Sequence, residues 1–124
     1  PVVDYENWRV AILRFHPELL PENITHVQRH DETDEVFVLL EGQCILLIGE
    51  GKEKVDCIHS VDMQPFLIYN VKRGCWHSHT LSNDARVLIV ENRETNDFNS
   101  PKSKLSQQQC NFIINETRSL WGES

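Results

Sequence analysis

The feature that most restricts this chain is a succession of short apolar or alternating segments, each cut off by turn residues. "WRVAILRF" (8–15), "NITHVQRH" (23–30), "EVFVLLEG" (35–42) and "CILLIGE" (44–50) come first. "KVDCIHSVDM" (54–63), a strand running into a loop, is followed by "PFLIYNV" (65–71), "CWHSHTL" (75–81) and "RVLIVENR" (86–93). Gly42-Gln43, "GEGK" (49–52), Gly74 and "NDA" (83–85) supply the turns, and glycine gives the freedom a tight one needs. Many short strands at this spacing predict an all-β sandwich or barrel, not a parallel sheet. No repeat or low-complexity stretch interrupts them.

The tail changes character. In "SPKSKLSQQQCNFIINETRSLW" Ser106 fits an N-cap and Gln109 the N3 position of a capping box, with Leu105 and Cys110 as the staple around it. Cys110, Ile113, Ile114, Thr117 and Trp121 then share one helical face. The expectation is a β-barrel over 1–100 and a helical tail over 101–124 that packs on the barrel or on a partner subunit.

A chain of 124 residues with 40 % hydrophobic content is one globular domain with a real core. Its net charge of −7 and the absence of a basic stripe argue against nucleic acid or an anionic membrane as partner. No apolar run is long enough to span a bilayer. "PVVDYENWRV" has neither the basic nor the apolar region of an export signal. Cys44, Cys57, Cys75 and Cys110 form no CxxC pair, so free thiols in the cytoplasm are expected, and the Asn-x-Thr matches at Asn23 and Asn115 carry no weight.

The chemistry concentrates in two segments. On a strand over 23–30, Ile24, His26, Gln28 and His30 share one face. After the "DETD" turn, Glu35, Phe37 and Leu39 line one face of the next strand. If that face is inward, a carboxylate lies in an apolar interior near His30, and a buried carboxylate needs a cation or a hydrogen-bond donor. A divalent metal is one such cation, and imidazole with carboxylate suits first-row metals. Downstream, Cys75, His77 and His79 share a strand face.

These residues resemble a known family. His30, Glu35 and Gly42, at their spacing, are similar to the first motif of the cupins, HxH, three or four residues, Glu, six residues, Gly. "KRGCWHSHTL" is similar in part to the second, PxGxxHxxxN, through Gly74 and His77. The resemblance covers roughly 23 to 93. It implies a single-domain RmlC-like jelly-roll barrel, often a homodimer, holding a divalent metal (Zn, Fe, Mn or Ni) through His30, Glu35 and His77. Gln28 stands where the family has a histidine, Lys72 where it has proline, and Leu81 where it has asparagine. Gln28 is then a fourth ligand through its amide oxygen, or His26 or His79 completes the site. A narrower resemblance, in "HVQRHDETDEVFVLLEGQCILLIG" and "GCWHSHTLSNDARVLIVENR", is to the ureidoglycolate lyase branch of cupin-like proteins.

The implied function is a metal-dependent lyase or isomerase acting on a small hydroxy- or oxo-acid, ureidoglycolate-like, or on a sugar. His79 or His26 would move protons. The alternative is a non-catalytic cupin that binds a small molecule, with Gln28 marking a relaxed site. Arg14, Tyr69 and Arg93 are candidates for an anionic substrate, though surface or capping roles suit each. Cys75 reads as a small core residue and Trp76 as wall packing. Asp31, Glu32 and Asp34 read as a solvated turn, His16 as a loop residue that is not a ligand, and His59 as a solvated residue of a polar loop.

Overall fold

A computed structural model describes residues 3–6, 8–30, 34–92 and 101–122; nothing is said of the side chains of 3–5. The strands are β1 (Val3–Tyr5), β2 (Trp8–Arg14), β3 (His26–Gln28), β4 (Glu35–Glu41), β5 (Cys44–Glu50), β6 (Cys57–Asp62), β7 (Tyr69–Val71), β8 (Trp76–Leu81), β9 (Arg86–Asn92) and β10 (Lys102–Lys104), followed by helix α1 (Gln107–Leu120). They form two five-stranded antiparallel sheets, ordered β1-β2-β9-β4-β7 and β10-β3-β8-β5-β6. Among the described residues no ladder joins the two, so the expected jelly roll is a pair of facing sheets. No helix among them is long and apolar enough to cross a membrane.

Two apolar layers hold the structure. Phe37, Leu39 and Val87 of the first sheet meet Cys44, Leu46 and Leu81 of the second. On the second sheet's far side, Val27, Ile45, Leu47 and Trp76 meet Ile113 of α1, with Cys110 and Trp121 against them. The second sheet is thus covered on both faces. That is why β5 is a continuous apolar run and not an alternating one. The capping box forms as the sequence predicts: the Ser106 hydroxyl accepts from Gln109 N at 3.1 Å, and Ser106 N donates to the Gln109 side chain at 2.9 Å.

Three expectations need correction. Residues 65–71 do not make one strand. Phe66 takes φ +65°, outside the β region, and the loop is strapped by Gln64 N donating to the Tyr69 hydroxyl at 2.8 Å. The tail begins inside the second sheet, where Lys102, Ser103 and Lys104 pair with Gln28, Val27 and His26. Ile24 precedes β3, in a segment that is not yet a strand. It joins the helix-side core with Val27 and not the row of His26 and Gln28.

The β4–β5 turn depends on Gly42. Its φ is +72°, and a Cβ there would lie 2.7 Å from the Ala85 Cα. Only glycine meets both conditions.

Candidate metal centre and cavity

Strand alternation makes the space between the sheets polar at one end and apolar at the other. β4 sends Glu35, Phe37 and Leu39 inward, with Glu35 only 6 % exposed. β8 sends in His77, His79 and Leu81, and β9 sends in Val87, Ile89 and Glu91. Register sets Gln28 of β3 opposite His77. His30, just past β3, is tied to the turn that leads into β8 because its carbonyl accepts from Gly74 N at 2.7 Å. The polar end opens into a cavity of about 930 Å³ lined by His26, Gln28, His30, Glu35, His77, His79, Arg9, Glu91 and Lys102, among others.

At its base, His77 Nε2 is 3.0 Å and His30 Nε2 3.5 Å from the same Glu35 oxygen. All three residues are buried, and their donor atoms lie within 4.8 Å of one another. The two rings meet edge-on with centroids 5.1 Å apart. The second His77 nitrogen, Nδ1, lies 3.2 Å from the Cys75 carbonyl, which can only accept. With Nδ1 donating there, neutral His77 turns a lone pair on Nε2 toward an anionic oxygen. That contact is favourable only if a cation lies between the two or a second proton sits on the ring. A ring nitrogen tied to a carbonyl while the other faces a carboxylate is the arrangement of a metal-ligating histidine. Donors bonded to one first-row ion at about 2.0–2.2 Å stand about 3–3.5 Å apart, so the residues fit a divalent metal.

The surrounding groups are electrostatically coupled. Burial pushes the Glu35 carboxyl up, but hydrogen bonds with His30, His77 and Glu91 and the charge of His77 outweigh it and hold Glu35 far below the usual range. Glu91 moves the other way. Burial raises it, and so do its hydrogen bond to Glu35 and that residue's charge, against the pull of Arg9. The two carboxylates titrate as a pair, with Glu35 held down and Glu91 held up. Arg9 Nη1 donates to Glu91 Oε1 at 3.3 Å. Burial, with the His77 charge second, takes His79 down to about 4. Its buried Nδ1 has no hydrogen-bond partner, and the Phe37 ring lies tilted against the imidazole with centroids 6.0 Å apart.

The expected site residues therefore separate. His30, Glu35 and His77 converge, and Gln28 and His79 flank them. His26 is at the exposed mouth, 2.9 Å from the Thr25 hydroxyl. Trp76 points the other way, into the helix-side core, and donates to Gly51 O at 2.9 Å. Arg14 is exposed opposite Arg86. Tyr69 is occupied by its loop strap. Asp34 is exposed but accepts from Arg73 N at 2.8 Å, closing the turn before β8. Arg93, Asp31 and Glu32 lie outside the described residues. Arg9 and Glu91 were not foreseen. The alternation that picks out Glu35 also picks out Glu91 behind Val87 and Ile89.

With this geometry the chain can be set beside solved structures. A cupin-2 domain protein from Shewanella frigidimarina superposes with a TM-score of 0.54 at 17 % identity, over 74 % of this chain and 76 % of that one. The chain has the cupin fold. A Streptomyces PAC13 variant with uridine matches at TM-score 0.60 and 6 % identity, over 87 % and 77 % of the two chains. The 3,4-ketoisomerase QdtA from Thermoanaerobacterium thermosaccharolyticum, in complex with TDP, gives 0.59 and 13 % over 94 % and 77 %. No protein-family model matches the cupin-fold chain, and neither does any curated protein.

Proposed function

We propose that this cupin-fold chain is a metal-dependent enzyme that moves protons on a small oxygen-rich substrate, as a lyase or isomerase. The observation that carries the reading is the convergence of His30 Nε2, His77 Nε2 and one Glu35 oxygen at the base of the cavity. His30, Glu35 and His77 would hold the ion, with the Gln28 amide beside them. When bound, a divalent ion polarises a carbonyl or carboxylate oxygen and stabilises the negative charge that develops there.

The chain's own groups do the rest. Arg9 and Lys102 bring cationic side chains to the cavity from opposite sheets, which suits a substrate carboxylate or phosphate. His79 is the better proton carrier, because it lines the cavity and its buried Nδ1 has no hydrogen-bond partner, whereas His26 is exposed and already bonded to Thr25. Phe37 walls the apolar side and keeps water from that ring. Hydroxy- and oxo-acids, ureidoglycolate among them, and sugars are the substrate classes to try. A nucleoside and a nucleotide occupy two fold neighbours, so nucleotide-linked sugars belong with them.

One observation favours a second reading, a ligand-binding cupin without turnover. Gln28, an amide, stands beside His77, and a doubly protonated His77 would satisfy Glu35 with no metal. The deciding experiment is metal analysis of protein purified without added metal, beside His77→Ala, with turnover of the substrate panel followed by NMR. A divalent ion that His77→Ala loses, and turnover that a chelator abolishes, are expected. Full turnover by metal-free protein would overturn the first reading.

A further inference from the structure

We infer that the loop end of the β5–β6 hairpin is a second metal site, which takes zinc or a similar borderline divalent ion through Glu50, Cys57 and His59. Register pairs Glu50 with Cys57, and His59 is two residues further along the same strand. All three therefore project from one face. That face carries Leu46 and Val61 into the inter-sheet core, but past Ile48 the layer has ended and the three side chains are exposed.

Their ligand atoms already stand as a coordination set. His59 Nε2 lies 3.6 Å from Glu50 Oε2 and 3.8 Å from Cys57 Sγ, and all three donors are within 4.8 Å of one another. Thiolate, imidazole and carboxylate bound to one tetrahedral zinc stand about 3.4–3.6 Å apart, given bonds of about 2.0–2.3 Å. A surface Glu–His pair needs no thiol. The third, soft donor makes the set selective for zinc-like ions over magnesium or calcium. Binding releases the Cys57 thiol proton, and three protein ligands leave the fourth position to water or to a donor from outside.

The hairpin holds these groups without large movement. Asp56 N donates to Glu50 O at 2.7 Å, closing the loop at the point where both ligand strands end. Gly51 takes φ +135°, and a Cβ there would come within 2.0 Å of Lys54 O, so only glycine permits this closure. The site is also separate from the cavity base. His77 and His59 each pair with Ile48, so their backbones lie two strand spacings apart, about 10 Å.

Cobalt(II) tests the assignment, because the His30, Glu35 and His77 set contains no sulfur. Titration of the metal-free full chain with Co²⁺ should raise a near-ultraviolet thiolate-to-cobalt band, and Zn²⁺ should bleach it. Cys57→Ser should abolish the band, and His59→Ala should weaken cobalt binding by at least the roughly 10-fold that even outer-shell partners command. Cys75→Ser and His77→Ala should leave it intact, so failure of the cavity site and failure of this one read separately. No band, a band that survives Cys57→Ser, or one lost in Cys75→Ser would overturn the proposal.

Discussion

The two faces of β8 carry opposite chemistry. Trp76 and Thr80, on one face, are 1 % and 0 % exposed; Trp76 packs in the apolar layer beneath α1, and the Thr80 hydroxyl donates to Leu19 O at 2.6 Å. His77 and His79, on the other, line the cavity. The same strand thus builds a sealed wall and a reactive surface by alternation alone. What covers each face decides between them. Helix α1 closes the outer layer, whereas the sheets part at the polar end of the inner one. Most of the buried polarity there is partnered, His77 and His30 on Glu35 and Arg9 on Glu91, whereas His79 Nδ1 has no hydrogen-bond partner.

Substitutions on the two faces should therefore fail differently. Trp76→Ala removes the largest fully buried side chain among the described residues and should cost about 3–5 kcal/mol of stability in denaturant unfolding. At low denaturant, retention of the proposed divalent ion should be untouched. If metal loss preceded unfolding, the two layers would not be independent. His77→Ala should cost less, about 1–3 kcal/mol, for the partner taken from buried Glu35, and on the proposed function it should also lose the divalent ion.

Legibility in the sequence followed the same division. Period-two alternation put Glu35, Phe37 and Leu39 in one row, and the resemblance to the cupin motifs joined His30 and His77 to it. Alternation also held Glu91 and Arg9 in plain view, but each sits one residue from a strand end, where a charged side chain reads as a solvated terminus. Lys102 could not be read. "PKSKL" looks like a linker, and only long-range pairing with β3 makes it a strand. The strap from Tyr69 to Gln64 was equally hidden, since "PFLIYNV" has strand composition and only the Phe66 backbone contradicts it.

Within the inner layer the apolar end should respond to pH on its own. Burial, with the Asp62 charge second, lifts the Cys44 thiol from its ordinary value of 9.0 up to about 12. Above pH 9 the unfolded chain loses this proton and the folded chain does not, so stability falls as pH rises through that window. The loss from this group should reach about 1.4 kcal/mol by pH 10. Urea unfolding of Cys44→Ala between pH 9 and pH 10 should show a correspondingly shallower decline; equal slopes would mean that the thiol is not sealed in.

The smallest expected effect falls on the outer layer and tests whether α1 is held by packing or by its cap. Ser106 satisfies one of the first-turn amides of α1 and receives Gln109 in return, while the Gln109 amide also reaches Val55 O at 3.5 Å. Ser106→Ala should cost about 1 kcal/mol. Because Ile113 and Thr117 stay buried one and two turns later, the loss should be local. Hydrogen exchange should quicken at the first-turn amides of α1 and remain unchanged in β4 and β9. Faster exchange in β4 as well would mean that the helix clamps the inner layer through the sheet, and the separation between wall and reactive surface would have to be given up.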